Sequence, residues 1–210
     1  MQADRDNRAW PKEEIVQKLV RLAANGDERA FEQLVFLYET RVYRMALYMT
    51  GNREDAQDVS QEVFVRLWTS LSSFRGESTL LTYLMRLTKN ISVDLMRRNR
   101  RRKTVSLSVY DQDGEEGAWE LPDENEENNP EKSYLRREHA EKVRRAINTL
   151  DSDQRQIVVL RDINGLSYRE ISEVLAISES AVKSRLNRAR EKLKKSCKSK
   201  TFFDVFRLYI

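Results

Sequence analysis

GLSYREISEVLAISESAVKSRLNRAREKLKK, from Gly165 to Lys195, decides how the rest of this chain is read. Ser167 with Glu170 three residues on is a capping box that predicts a helix starting at Tyr168. Tyr168, Ile171, Val174 and Leu175 give that helix one apolar stripe. Ala176-Ile177-Ser178 interrupts the pattern. Ser178 can then cap a second helix, whose inward set is Val182, Leu186, Ala189 and Leu193. Its other side carries Ser180, Lys183, Ser184, Asn187, Arg188 and Glu191. Two short helices around a tight turn, the second of them basic, have the form of a helix-turn-helix with a recognition helix suited to the DNA major groove. An ordinary helical hairpin with a solvated basic face has the same periodicity. Charge favours the first reading: Ser178 to Lys200 holds nine Lys or Arg against Glu179 and Glu191, the density expected of phosphate contacts.

The chain has 210 residues, 34% of them charged and 9% aromatic, with six Gly and three Pro. Such a composition points to an all-α protein of one large core or two small ones. Cys197 and His139 are the single cysteine and histidine, which excludes an internal disulfide and a Cys/His zinc site. The start of the chain lacks the layout of a signal peptide, and no run reaches the length of a membrane span, so a cytoplasmic protein is expected.

Residues 1–24 read as a polar leader and a first helix, started by Pro11 and faced with Ile15, Leu19, Val20, Leu22 and Ala23. Asn25-Gly26-Asp27 punctuates it. A longer helix follows, with Ala30, Phe31, Leu34, Val35, Leu37, Tyr38, Val42, Met45, Ala46 and Met49 inward. Gly51-Asn52 separates it from a helix spanning Arg53 to about Leu71. There Ala56, Val59, Val63, Phe64, Leu67 and Trp68 form the buried face. Asp55, Asp58, Gln61, Glu62 and Arg66 lie on or near the other. Asp58 and Glu62 are spaced i, i+4 and share a convex surface rather than a pocket, which suits a basic protein partner better than catalysis.

A polar loop with an exposed Phe74 and Arg75 leads into a helix over Thr79 to Arg98. Its apolar set is Leu80, Tyr83, Leu84, Leu87, Ile91, Leu95 and Met96, and it feeds Arg97 to Lys103, six basic residues in seven. An aromatic loop joined to a basic helix end suits single-stranded nucleic acid. Residues 104–130 carry nine Asp or Glu and no Lys or Arg, a net of −9 in a chain of +4, so the remainder carries +13. That stretch reads as a flexible acidic linker, either a plain tether or a polyanion that competes with nucleic acid. A second helical unit over 131–197 has Leu135, Val143, Ile147 and Leu150 inward, then Asp151 with Gln154 as another capping box. A short helix on Ile157, Val158, Leu160 and Arg161 ends at Asn164-Gly165. Residues 198–210 form an apolar tail.

NREDAQDVSQEVFVRLW (Asn52–Trp68), FRGESTLLTYLMRLTKNISVDLMRRNRR (Phe74–Arg102) and LRDINGLSYREISEVLAISESAVKSRLNRAREKLK (Leu160–Lys194) resemble, in this order, regions 2.2, 2.3–2.4 and 4 of bacterial sigma factors of the extracytoplasmic-function group. The resemblance implies two all-α domains, region 2 at 25–103 and region 4 at 131–197. Together they would form a promoter-specificity subunit with no catalysis and no cofactor. It implies that Asp55, Asp58, Gln61 and Glu62 meet the β′ clamp coiled coil of core RNA polymerase, and that region 4 meets the β flap. Phe74, Arg75, Ser78, Tyr83 and Asn90, with Arg97, Arg98, Arg100 and Arg101, would hold the melted −10 strand, where a base pocket offsets unpairing. Lys183, Ser184, Asn187 and Arg188 would read the −35 element, Ser178 would belong to the same DNA-binding set, and Arg185 and Arg190 would lie on phosphates. An anti-sigma partner, often membrane-anchored, is implied as well. This chain has Tyr83 where the family usually has Trp, Ala176 for the turn Gly, Ser180-Ala181 for Gly-Thr, and an unusual Leu80-Leu81. Two alternatives stand beside this reading. A free-standing helix-turn-helix regulator has no need of an acidic helix followed by a basic strand-separating one. A nuclease built on Asp55, Asp58 and Glu62 lacks convergent ligands.

Overall fold

A computed structural model describes residues 12–74, 76–105, 143 and 145–196. The leader as far as Pro11, Arg75, the acidic stretch beyond 105, Leu135, His139, Cys197 and the apolar tail lie outside the described residues. Every regular element among those described is helical: α1 (Glu13–Ala24), α2 (Glu28–Thr50), α3 (Arg53–Ser70), a short 3-10 turn (Leu71–Ser73), α4 (Leu80–Val105), α5 (Ser152–Val158), α6 (Tyr168–Leu175) and α7 (Glu179–Ser196). A π-type turn over Val159–Ile163 continues α5.

Local chemistry sets the boundaries. Asp27 accepts from Ala30 N at 3.0 Å and Asn52 from Asp55 N at 3.1 Å, each satisfying an otherwise orphaned amide at a helix start. Gly51 ends α2 in the left-handed region at φ 74°, a conformation that costs glycine little. Helix α4 runs on to Val105, past the Arg98 end expected from its apolar stripe. Arg and Lys are good helix formers, and their charge is favourable at a helix C-terminus.

The first unit is α1 to α4, packed on Leu34, Val42, Met45, Leu67, Leu84 and their neighbours, all buried. Its first helix turns differently from expectation: Val16 is buried and Ile15 and Leu22 face water. Val16, Leu19, Val20 and Ala23 form the tighter i, i+3, i+4, i+7 set. Trp68, expected inside, is 38% exposed and sits edge-on to Phe31 with ring centroids 4.8 Å apart.

The second unit has a core of Val143, Ile147, Leu150, Ile157, Leu160, Ile171, Val182 and Leu186, all buried. Asp151 caps α5 through Gln154 N at 2.9 Å. The π-type turn widens the chain so that Asn164 N reaches Val159 O at 2.9 Å. Buried Asn164 Nδ2 donates to the same oxygen at 3.1 Å. Ser167 and Glu170 form the full capping box of α6.

The two units touch. Helix α6 packs on α4, and α5 packs on α2. Arg155 Nη1 donates to Tyr48 O in the last turn of α2 at 3.3 Å, and Arg155 Nη2 to Asn148 O and Leu150 O, both at 3.2 Å. Glu170 Oε1 accepts from Thr79 Oγ1 at 3.2 Å and from Thr82 Oγ1 at 3.0 Å. Burial pushes the Glu170 carboxyl up, but its bonds from Ser167, Thr82 and Thr79 outweigh that and hold it below the ordinary value.

Ala176 ends α6 at φ 55°, ψ 47°, a conformation that penalises a Cβ. Ala176→Gly is therefore expected to stabilise the chain by about 1 kcal/mol, read as a raised midpoint in urea with unchanged slope. The lowered pKa of Glu170 sets a sign for pH. Its contribution is complete above the unfolded value near 4.5 and is lost as pH falls through the lower folded value. Acid titration of unfolding should show a shallower loss of stability below about pH 4.5 in Glu170→Gln than in the parent chain.

Candidate nucleic-acid interface

Helix α7 is oriented by its buried side. Val182, Leu186, Ala189 and Leu193 have no exposed surface. Ser178 caps the helix through Ala181 N at 3.2 Å, and Ser180 Oγ lies 2.9 Å from Ser178 Oγ. With the apolar stripe fixed inward, Lys183, Ser184, Asn187 and Arg188 all face water on one side. Arg188 Nη2 donates to Ser184 Oγ at 3.2 Å one turn back, which holds the guanidinium along the helix axis.

The other two arginines on this helix are tied into the protein. Arg185 Nη1 donates to Asp153 Oδ2 in α5 at 3.1 Å. Arg190 grips Asp162 in the π-type turn through both Nε and Nη2. The Asp162 hydrogen bond raises the Arg190 pKa above its ordinary value against the opposing effect of burial. Arg161, beside Asp162, donates to Leu166 O at 2.7 Å and lies 5.1 Å over the Tyr168 ring. The recognition helix is thus pinned to α5 and to the π-type turn by charged contacts, and four polar side chains face outward.

A second polar surface follows α4. Tyr83 is its hub: the hydroxyl lies 2.8 Å from Ser70 Oγ, the ring 5.2 Å from Phe74, and the Arg86 guanidinium 5.4 Å over the ring. Phe74, expected exposed, is half-buried because it stacks on Tyr83. Ser78 is half-buried at the loop's end. Asn90 and Arg97 are exposed on the face of α4 that carries Arg86, and Arg98 is exposed beside them. An ion pair of 3.9 Å links Arg97 to Asp94. Arg100 and Arg101 continue the helix, with side chains outside the described set. Arg86 was not among the expected site residues; its signal is the spacing, three residues after Tyr83 and four before Asn90.

The third surface is on α3. Asp58 and Gln61 are exposed, and half-buried Glu62 pairs with Arg66 at 2.7 Å. Asp55 is half-buried and its Oδ2 accepts from Asn99 Nδ2 at 3.4 Å, so this carboxylate faces α4 rather than the open side of α3. Val65, 53% exposed next to Glu62 and Arg66, adds an apolar element that the charged pattern conceals. The three sets occupy three helices and do not converge on one cavity. Among the described residues, no group of three or more His, Cys, Asp or Glu could hold a metal ion, and no helix is long and apolar enough to cross a membrane.

Comparison with known proteins agrees with this division. Residues 34–102 match the family model for sigma-70 region 2 and residues 140–193 the model for sigma-70 region 4. The chain is 34% identical over 181 residues to the RNA polymerase sigma-H factor of Pseudomonas aeruginosa, covering 86% of this chain and 92% of that one. It is 34% identical over 177 residues to the ECF RNA polymerase sigma-E factor of Escherichia coli K12, covering 83% and 90%. Among solved structures, CnrH in complex with the cytosolic domain of CnrY is similar at a TM-score of 0.61 and 26% identity, over 87% of this chain and 96% of that one. The basic recognition helix, the aromatic and basic face of α4 and the acidic face of α3 are accordingly parts of one subunit that directs transcription initiation, and the chain belongs to the extracytoplasmic-function sigma factors.

Proposed function

We propose the following assignment of surfaces within that activity. Lys183, Ser184, Asn187 and Arg188 read base edges of a −35 element, and Arg185 and Arg190 position the recognition helix while offering their outer edges to phosphate. The observation that carries this is the split on α7: four exposed polar side chains on one face, and two arginines anchored to Asp153 and Asp162. A side chain already tied to a carboxylate has fewer donors left for a base. The Tyr83 hub, with Phe74, Arg86 and Asn90, receives an extruded base of the −10 element, and Arg97 and Arg98 follow the strand's phosphates. Stacking on Tyr83 is restricted by Phe74 on one side and Arg86 on another, so Asn90 supplies the hydrogen-bonding edge.

Core RNA polymerase is met through Asp58, Gln61 and Glu62, with Val65 as an apolar contact. Asp55 serves α4 instead, through Asn99. Region 2 docks on the β′ clamp coiled coil and region 4 on the β flap. The chain operates in the cytoplasm without catalysis of its own. A restraining anti-sigma protein fits the family, and CnrH, similar in fold, was solved with a bound protein domain.

Two substitutions separate these roles. Arg188→Ala should weaken initiation by about 1–3 kcal/mol in recognition on promoters with an intact −35 element and have little effect on scrambled ones. Equal loss on both would move Arg188 to a phosphate contact. Asp58→Arg should reduce affinity for core polymerase with helix content unchanged; full affinity would take Asp58 off the docking face.

A further inference from the structure

Three neighbours occupy Tyr83. Its hydroxyl lies 2.8 Å from Ser70 Oγ at the end of α3, and its ring centroid is 5.2 Å from that of Phe74, with the planes tilted by 59°. The Arg86 guanidinium carbon stands 5.4 Å over the same ring, within the range of a cation–π contact. Ser70, Phe74 and Tyr83 are half-buried, and Arg86 alone of the four is exposed. Stacking needs an open π-surface. A ring whose hydroxyl is engaged, and which Phe74 contacts and Arg86 covers, cannot take a base without giving up one of these neighbours. The open planar surface of the cluster is the outer face of Arg86.

Helix spacing sets Asn90 beside that face. Arg86 and Asn90 are i, i+4 on the exposed side of α4, about 6 Å apart along its axis. Their chemistry differs. Arg86 has donors only, whereas the Asn90 amide offers both an acceptor and two donors. A guanidinium is flat, delocalised and weakly hydrated, so it stacks through its face while its N–H groups point outward in the plane. Every base has a π-face, so such a platform holds any base. Telling one base edge from another requires a neighbour that can both donate and accept.

We infer that Arg86 is the stacking platform for the unpaired −10 base, which lies on the outer face of the guanidinium while Asn90 reads its edge. Resting on the −10 assignment above, this changes the part played by Tyr83. Tyr83 does not touch the base. It is a positioning residue, whose hydroxyl ties the ring to Ser70 in α3 and whose ring gives Arg86 a fixed floor. Lysine cannot replace Arg86 in this role, since an ammonium is a compact point charge with no face to stack. On a phosphate the two would be far closer to equivalent, because Lys also binds phosphate as a point charge.

The test uses the full chain on core RNA polymerase and a fork-junction DNA from a promoter whose start site has been mapped by transcript sequencing. Its single-stranded −10 segment carries an abasic site at one position at a time. The parent chain should lose roughly tenfold in affinity at the position whose base stacks on Arg86. Arg86→Lys should weaken binding of the intact strand by a similar factor and bind intact and abasic strands alike at that position, the two losses failing to add. Other sensitive positions should stay sensitive. The slope of affinity against salt should be unchanged, since the charge is kept, and circular dichroism should show the same helix content. Tyr83→Phe, which removes only the hydroxyl, should keep the abasic discrimination. Discrimination that survives Arg86→Lys at every position would overturn the platform alone, as would its loss in Tyr83→Phe with Arg86→Lys unaffected. A parent chain indifferent to every abasic position would sink the −10 assignment itself, and the platform with it.

Discussion

A helix that belongs to two cores at once constrains everything around it. Helix α4 packs on α2, α3 and α6, and its exposed side runs through Arg86, Asn90, Asp94 and Arg97. That strip is where nucleic acid can approach. The same burial fixes the residue types on the second contact side. Thr82, Thr88 and Ser92 are small and polar, and the Thr88 hydroxyl turns back to Leu84 O at 2.8 Å, satisfying itself within its own helix. Buried Thr82 finds its partner across the interface, in Glu170.

The strength of the inter-domain contact follows from its composition. Neutral hydrogen bonds contribute about 0.5–1.5 kcal/mol net and those to a charged group about 1.5–3. The contact between the units holds two charged groups, Glu170 accepting from Thr79 and Thr82 and Arg155 donating to Tyr48 O.

Sequence periodicity showed much of this, and its failures are instructive. Helix starts were legible wherever a short polar side chain caps an amide, as at Asp27, Asn52, Asp151 and Ser167. The recognition face was legible because Val182, Leu186, Ala189 and Leu193 leave one orientation for Lys183, Ser184, Asn187 and Arg188. The burial of Thr82 was not, since its partner Glu170 lies some ninety positions away. A hydrophobic pattern reports that a residue is buried, not by what, and Thr82, Thr88 and Ser92 carry no apolar signal at all. Glu170 was visible as a cap, but its second oxygen has a partner only in three dimensions. Asp55 and Phe74 were misplaced for a related reason. Each sits at the edge of an exposed pattern, and each is drawn inward by one neighbour, Asn99 and Tyr83.

The anchoring of α7 is internal to its own domain. Arg190 on Asp162 and Arg185 on Asp153 bind the recognition helix to the π-type turn and to α5, and Arg161 binds that turn to Leu166 O at the start of α6. These contacts are all internal to region 4. Among the links to region 2 are those of Glu170 and Arg155, neither of which lies on α7. The spacing of Lys183, Ser184, Asn187 and Arg188 is set by the helix and its buried stripe. Base reading demands side chains held to within a fraction of an ångström. Arg185 and Arg190, the charged anchors of α7, are thus both satisfied by carboxylates of their own domain.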